Sequence, residues 1–286
     1  MSDDEIEQSR MPLVDHLIEL RRRLISCIVG ILVLFFVCYW FSPRLYQFLV
    51  QPLADALAAK HEERRMIFTA LHEAFFTYVK VAFFAAMFLG FPIIATQVYK
   101  FVAPGLYKHE RSAFLPFLIA TPLLFFAGGA LAYYVVFPMA WKFFLSFEMT
   151  GDAGLPIQLE AKVNEYLALV MQLIFAFGLC FQMPVLMTLL GRAGLISAQA
   201  MREKRRYAIV VAFVFAAVLT PPDVISQTSL AVPTILLYEI SIWCVRLVER
   251  SQEKAARKAE EKQRADQAAG KRAQPGPERA TTDTAE

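Results

Sequence analysis

Six long stretches of the chain are almost continuously apolar, and short polar segments separate them. A helix needs about 20 mostly apolar residues to cross the hydrocarbon core of a bilayer. Backbone groups in lipid must be hydrogen-bonded internally, and the alternating ten-residue strands of outer-membrane barrels do not occur in this sequence. The pattern therefore predicts an all-α integral membrane protein with six transmembrane helices. Their boundaries are about 24–41, 75–98, 114–138, 163–190, 207–220 and 226–245.

Composition supports this class and separates the end of the chain from the rest. Hydrophobic residues make up 57% of the 286 residues and charged residues 19%, whereas a soluble domain has about 45–50% and about 25%. Residues 251–286 are instead charged and lack aromatic side chains. We expect a membrane domain over residues 1–250 and a charged, disordered cytoplasmic tail over 251–286, with a transient helix to about Gly270 at most.

Prolines interrupt or border most of the predicted spans. Each proline removes a helical hydrogen bond and bends its helix, so the set should pack as a curved, concave wall rather than as a straight bundle. The last two spans are short: residues 207–219 cover about 20 Å, against about 30 Å of hydrocarbon. The prolines concerned are Pro92, Pro116, Pro122, Pro138, Pro184 and Pro233.

The distribution of positive charge predicts the orientation. Six spans place both termini on one side, and that side carries 22 of the 29 Lys and Arg residues; without the tail it still carries 12 against 7. Because cytoplasmic loops are enriched in Lys and Arg, we expect both termini in the cytoplasm. The connection 42–74 would then lie outside, and its leucine stripe predicts a helix on the outer membrane surface.

Two acidic residues stand at the predicted cytoplasmic boundary. Glu19 lies in "HLIELRRRL" (16–24), where helical spacing puts it on one face with His16 and Arg23. Glu110 lies in "KHER", close to the start of the third span. Two interpretations fit: the arginines anchor a surface helix and Glu19 pairs with Arg23, or the two carboxylates receive a cationic ligand, for which a guanidinium is well suited.

Polar residues inside the spans are the other candidates for function, because they are costly in lipid. Gln182 lies deep in the fourth span before Pro184, where its amide either satisfies freed backbone groups and a neighbouring helix or faces a ligand. Glu239 can extend to the cytoplasmic interface beside Arg246, in a packing or topological role.

Enzyme classes find no support in the sequence. None of the three His-Glu pairs has a second histidine at the spacing of zinc proteases, and no P-loop or GxSxG motif occurs. The four cysteines form no CxxC motif, so we expect no metal site, no cofactor and no nucleic-acid partner. A secondary transporter of a small solute or ion, with Gln182 and Glu239 lining its path, remains an alternative, as does a scaffold without a recognition site of its own.

Three stretches together resemble one family. "HLIELRRRL", "FVAPGLYKHER" and "LTPPDVISQTSLAVP" are similar to signature stretches of TatC, the core subunit of the twin-arginine protein translocase, and the resemblance runs from about residue 12 to 250. It implies a multimeric complex in the bacterial inner membrane that binds twin-arginine signal peptides of folded precursor proteins. It also implies the single-span partners TatA and TatB, contact with membrane lipids, and transport powered by the proton-motive force.

The resemblance also implies roles for individual residues. Glu19 and Glu110 would accept the guanidinium groups of the signal peptide. Several family members carry glutamate at the position of Gln182, and an amide cannot release a proton, so a proton relay at this position is in doubt. The remaining signal-peptide candidates are His16, Arg21, Phe101, Pro104, Leu106 and Tyr107, and the candidate contacts with partner subunits are Gln182, Glu239, Pro52 and Asp223.

Overall fold

The computed structural model describes residues 13–58, 66–106, 115–148, 159–220 and 223–273. Within these ranges the chain is helical, and its only strand-like feature is an isolated bridge between Ile67 and Lys162. The predicted all-α class is confirmed. Glu110 and Tyr107 lie outside the described residues.

The helices follow the apolar stretches of the sequence. We call the membrane face at which α1 begins the proximal face, and the face at which α1 ends and α3 begins the distal face. The helices are α1 (Leu13–Trp40), α2 (Ser42–Ala58), α3 (Glu73–Leu89), α4 (Phe91–Leu106), α5 (Leu115–Leu131), α6 (Phe137–Leu145), α7 (Val163–Cys180), α8 (Met183–Arg192), α9 (Ala198–Glu203), α10 (Arg205–Leu219) and α11 (Val224–Ala273).

Four helical segments are long and apolar enough to cross a membrane: His16–Trp40, Pro116–Leu145, Val163–Arg192 and Val224–Lys254. A fifth is obtained when α3 and the first part of α4, which meet at 47°, are counted as one bent span. The remaining predicted span, 207–220, corresponds to α10, whose 15 residues extend about 22 Å. The count of six spans and the location of the termini therefore stay predictions.

The main bends and breaks lie next to prolines, but α5 and α11 continue as single helices through Pro122 and Pro233. The α3–α4 bend precedes Pro92, and α7 ends at Cys180 before α8 begins next to Pro184. Between α5 and α6 a π-helical turn, Ala132–Val136, precedes Pro138. Such turns let a helix continue past a residue that cannot donate its backbone hydrogen bond.

The packing order places α1 at one edge and α10 near the other. Helix α1 contacts α3 and α4, α3 contacts α7, α5 contacts α7, and α8 and α10 contact α11. The largest completely buried side chains include Phe125, Phe137 and Phe177, all in the central helices. Only 11% of the most apolar window of α1 is buried within the chain, so the other helices leave most of this helix uncovered.

Two glycines bring α5 and α7 into close contact. A Cβ atom at Gly128 would lie 2.5 Å from the backbone oxygen of Phe177, and one at Gly178 would lie 2.6 Å from the ring of Phe125. Small residues at such positions allow transmembrane helices to approach closely. The contact fixes the central pair of helices against which the others pack.

We expect Gly128→Ala to lower the free energy of unfolding in detergent by about 1–3 kcal/mol, because the clash is with backbone rather than with a flexible side chain. Gly30→Ala is the matched control, since its added methyl would meet only the side chain of Ile93 at 3.4 Å. Both changes gain the same helix propensity. Equal unfolding midpoints for the two variants would contradict the close-contact interpretation.

Helix α2 packs on the distal side of the protein. Leu49 and Leu53, two residues of the stripe predicted to lie on the membrane surface, are buried within the chain. Pro52 is buried as well, and it removes the helical partner of the Phe48 carbonyl. The Tyr133 hydroxyl donates to that carbonyl at 2.6 Å. The helix predicted in this connection is therefore present, but these leucines face the protein rather than lipid.

Helix α10 ends below the distal surface. The Gln172 amide on α7 donates to the Leu219 carbonyl at 3.0 Å, and Gln172 lies nine residues after Val163, the first residue of α7. At 1.5 Å per residue this is about 13 Å along α7. This offset predicts a recess at the distal face.

The last helix continues beyond its apolar part. α11 runs to Ala273, so residues 251–273, expected to be disordered or at most transiently helical, are a continuation of α11. Residues 274–286 lie outside the described part of the chain. The division of the chain at residue 250 is thus a change of composition within one helix, and its use as a domain boundary stays a prediction.

Candidate functional site: the proximal face of α1 and α4

An ion pair on α1 holds Glu19 in place. Arg23 donates to Glu19 Oε1 from both Nε, at 3.1 Å, and Nη2, at 2.5 Å. Its Nη1 donates to the Gln97 side chain of α4 at 3.3 Å. The side chains of Arg23 and Glu19 are 27% and 20% exposed. One guanidinium therefore orients the carboxylate and ties it to the neighbouring helix.

The pairing of Glu19 with Arg23, one of the two interpretations of the sequence, is present, but it does not saturate the carboxylate. Both bonds end on Oε1, and the described residues provide no hydrogen bond to Oε2. A carboxylate has about four lone-pair sites and can accept a bidentate guanidinium. The second oxygen can thus accept a further cationic donor.

Aromatic stacking joins the same two helices one turn closer to the N-terminus. The rings of His16 and Phe101 stack at 4.3 Å between centroids, with planes 21° apart. His16 is exposed and Phe101 is half-buried. The start of α1 and the end of α4 therefore form a common surface.

The other predicted signal-peptide residues fall at or beyond the edge of this surface. Arg21 is exposed on α1, and α4 includes Pro104 and Leu106 in its last turns. Tyr107 and Glu110 lie outside the described residues.

Gln182 belongs to a polar cluster that joins three helical segments. Its amide donates to the Thr121 carbonyl at 3.0 Å and approaches the Gly178 carbonyl at 3.5 Å. The backbone nitrogen of Gln182 is bonded instead to Leu179, so the α7 break frees the Gly178 carbonyl. The Thr121 hydroxyl is 2.8 Å from that of Tyr99 on α4. The interpretation that Gln182 satisfies freed backbone and binds a neighbouring helix is the one that these contacts favour.

A groove of about 370 Å³ lies beside this cluster. It lies between α4 and α8, and its lining is apolar except for Tyr99, Thr121 and Gln182. The Gln182 amide, directed into backbone carbonyls, contributes to the groove wall. The arrangement offers an apolar surface rather than a polar solute path.

Glu239 and Asp223 each have a partner within the chain. Glu239 pairs with Arg205 of α10 at 2.6 Å, not with Arg246. Arg246 is seven residues away, about 10 Å along the same helix, whereas Arg205 comes from the neighbouring helix. Asp223 Oδ1 accepts from the Ser226 backbone at 2.7 Å and caps the start of α11, while its buried Oδ2 has no partner among the described residues.

Sequence reasoning missed Gln97, Thr121 and Tyr99. All three are polar residues within or beside predicted spans, and this position alone could have marked them as candidates. Their partners lie 22 to 74 residues away along the chain, and single-sequence patterns do not show such contacts.

Comparisons with known proteins agree with the motif resemblance. The family described as "Sec-independent protein translocase protein (TatC)" matches residues 15–233. The TatC protein of Magnetococcus marinus is 51% identical over 258 residues, covering 90% of this chain and 92% of that protein. The TatC protein of Escherichia coli K12 is 41% identical over 239 residues, covering 84% and 90%.

A solved structure has the same fold. The crystal structure of a twin-arginine translocase receptor, TatC, superposes with a TM-score of 0.70 at 35% identity. The match covers 82% of this chain and 99% of that one. By sequence and by fold, this chain belongs to the TatC family of Sec-independent protein translocase proteins.

Proposed function

We propose that this chain is the twin-arginine signal-peptide receptor and the core of the translocase, and that Glu19 accepts a guanidinium of the signal peptide. The observation that carries the proposal is the half-engaged carboxylate: Arg23 holds Oε1 and leaves Oε2 for another donor. The family is one of protein translocases rather than enzymes, and the comparisons do not support the small-solute transporter alternative.

The environment of Glu19 determines how strong this contact can be. An exposed ion pair contributes about 0–1 kcal/mol, whereas hydrogen bonds to charged groups contribute about 1.5–3 kcal/mol when they are formed away from bulk water. Glu19 is 20% exposed, and Arg23 already fixes its rotamer. Less side-chain entropy is therefore lost when a ligand binds, and the contact gains from partial desolvation.

Glu110 is the second acceptor in this proposal. In sequence it follows α4 by four residues, and α4 carries Phe101, whose ring stacks on that of His16. Two carboxylates on one surface match a ligand with two adjacent guanidinium groups, since each can bind one group in bidentate geometry. Arg21, Pro104, Leu106 and Tyr107 complete the proposed docking surface.

The proposal includes orientation and partners. The positive-charge bias supports cytoplasmic termini in the inner membrane of a bacterium. TatA-like and TatB-like single-span subunits would assemble with this chain and with further copies of it, using the proton-motive force. Gln182, Glu239, Pro52 and Asp223 are the proposed contacts for these partners.

Site-specific photo-crosslinking tests the location of the docking surface. A crosslinker in place of His16 or Phe101 should capture a twin-arginine signal peptide, and capture should fall when both arginines of the peptide are changed to lysine. A crosslinker in place of Trp40, at the opposite end of α1, is the matched control. Equal capture from Trp40, or capture that does not depend on the arginines, would refute the assignment.

A further inference from the structure

Helices α1 and α3 pack tightly along one side of their interface and leave a groove along the other. Ala82, Ala85 and Ala86 of α3 are buried against α1 at its closest approach. Beside this alanine row, larger side chains from both helices enclose a groove of about 620 Å³. Its apolar lining consists of Ile28, Ile31, Leu32 and Phe35 of α1 with Val79, Phe83 and Met87 of α3.

The groove has the dimensions of a site for a hydrocarbon chain. It runs from Ile28 to Phe35 on α1 and from Val79 to Met87 on α3, about 10–12 Å along the helix axes. Ile28, Leu32 and Phe83 are each more than half exposed within the chain. The groove is therefore open towards lipid, and acyl chains are what surround it there.

One charged residue, Lys80, lines the distal end of this groove. It lies seven residues into α3, about 10 Å below the first residue of that helix. Its Nζ donates to the Asn164 side chain at 2.7 Å. An ammonium group has three donors, so two remain for a further ligand.

No carboxylate of the described residues pairs with Lys80. The nearby Glu73 is engaged elsewhere, accepting hydrogen bonds from Thr69, Ala70 and Asn164. Lys162 shares with Lys80 a polar pocket that also includes Glu73 and Glu165, and it pairs with Glu165 at 3.4 Å. Within the described ranges, Lys80 is thus a cation at the mouth of an apolar groove, bonded only to a neutral amide.

We propose that this groove binds an anionic glycerophospholipid of the distal leaflet, with one acyl chain along α1 and α3 and its phosphate on Lys80. The long lysine side chain extends towards the headgroup level, where a phosphate oxygen can accept the two remaining donors. A partner helix would fill the same groove but would not need the charge of Lys80. This site is separate from the proximal surface that contains Glu19.

Native mass spectrometry of the full chain, released from detergent with added phosphatidylglycerol or phosphatidylcholine, tests the proposal. Wild-type protein should retain phosphatidylglycerol in preference to phosphatidylcholine. Lys80→Gln should lower that retention about tenfold, the loss expected for one charge-assisted hydrogen-bonded contact, while Lys80→Arg should keep it. Leu32→Trp, which fills the groove and leaves Lys80 in place, should lower it as well.

Lys162→Gln is the matched control, because it removes a lysine from the same surface without touching the groove. Each variant that is compared should unfold at a midpoint temperature within about 2 °C of the wild-type value. Equal retention by Lys80→Gln and wild type would overturn the proposal, as would equal retention of the two lipids. If Leu32→Trp retained as much lipid as wild type, the acyl chain would not lie in the groove, and the proposal would be wrong. A loss of retention in Lys162→Gln as large as in Lys80→Gln would show a general effect of surface charge and would also overturn it.

Discussion

Replacing Glu19 by glutamine is expected to weaken binding of a twin-arginine signal peptide about tenfold, and replacing Glu19 and Glu110 together about a hundredfold. Each change removes one charge-assisted acceptor of about 1.5–3 kcal/mol, and each 1.4 kcal/mol corresponds to a factor of ten in affinity. Glutamine keeps the size of the side chain, so packing is conserved. The measurement is peptide affinity to purified protein in nanodiscs, at one ionic strength because exposed charges are screened.

Two control variants separate recognition from stability. Glu253→Gln removes an exposed acid on a different helix, α11, and should bind like wild type. Exchanging Glu19 and Arg23 keeps an ion pair on α1 but moves the carboxylate by four residues, about 6 Å along the helix. The exchanged variant should fold normally and bind as weakly as Glu19→Gln. Undiminished binding by Glu19→Gln, by Glu110→Gln and by the variant that combines them would remove the basis of the proposal.

Lengthening α10 by four apolar residues is expected to reduce transport at least tenfold while leaving signal-peptide affinity within about twofold. The helix is about 22 Å long and ends beside Gln172, about 13 Å below the start of α7. An added turn of about 6 Å would fill part of the recess at the distal face, where we expect partner helices to gather because the hydrophobic mismatch is greatest there. The signal-peptide surface lies at the other face and on other helices.

The paired measurements for this variant are transport of a folded precursor into membrane vesicles and peptide affinity. Inserting four residues after Arg257, in the charged continuation of α11, is the control for the effect of an insertion as such. It should leave both measurements unchanged. Equal losses of transport and of peptide affinity in the α10 variant would count against the recess.

The all-α class and the main bends could be predicted from the sequence because local chemistry determines them. Long apolar runs must be helical in lipid, and Pro92, Pro138 and Pro184 each lack a backbone donor whatever the rest of the chain does. The family could be predicted because three long motifs occur together. The short α10 was visible as a short apolar run bounded by basic residues and by the "TPPD" turn.

The contacts that complete the site could not be predicted, because they join segments that are distant in sequence. The predicted pair of Glu19 and Arg23 is local, but its link to Gln97 depends on how α1 packs against α4. The same holds for Glu239, whose partner is Arg205 on α10 rather than a residue of its own helix. The leucine stripe of α2 predicted a helix correctly, yet only the tertiary packing shows that Leu49 and Leu53 face the protein.

The protein has two faces with different chemistry. The proximal face carries Glu19, the proposed acceptor for a cationic tag, and the distal face carries an apolar groove with Lys80 at its end. Gln182 lies between them and donates to backbone carbonyls, which stabilises a proline-containing break. An amide at this position cannot exchange a proton, so the proposed coupling to the proton-motive force would depend on other groups.

The most direct test is a structure of the full chain in a lipid bilayer with a twin-arginine signal peptide bound. We predict a peptide guanidinium within about 2.7–2.9 Å of Glu19 Oε2, with Arg23 still on Oε1 and Glu110 beside the second peptide arginine. A structure in which the peptide arginines bind elsewhere, and both carboxylates are exposed to bulk water, would contradict the proposed role of Glu19 and Glu110.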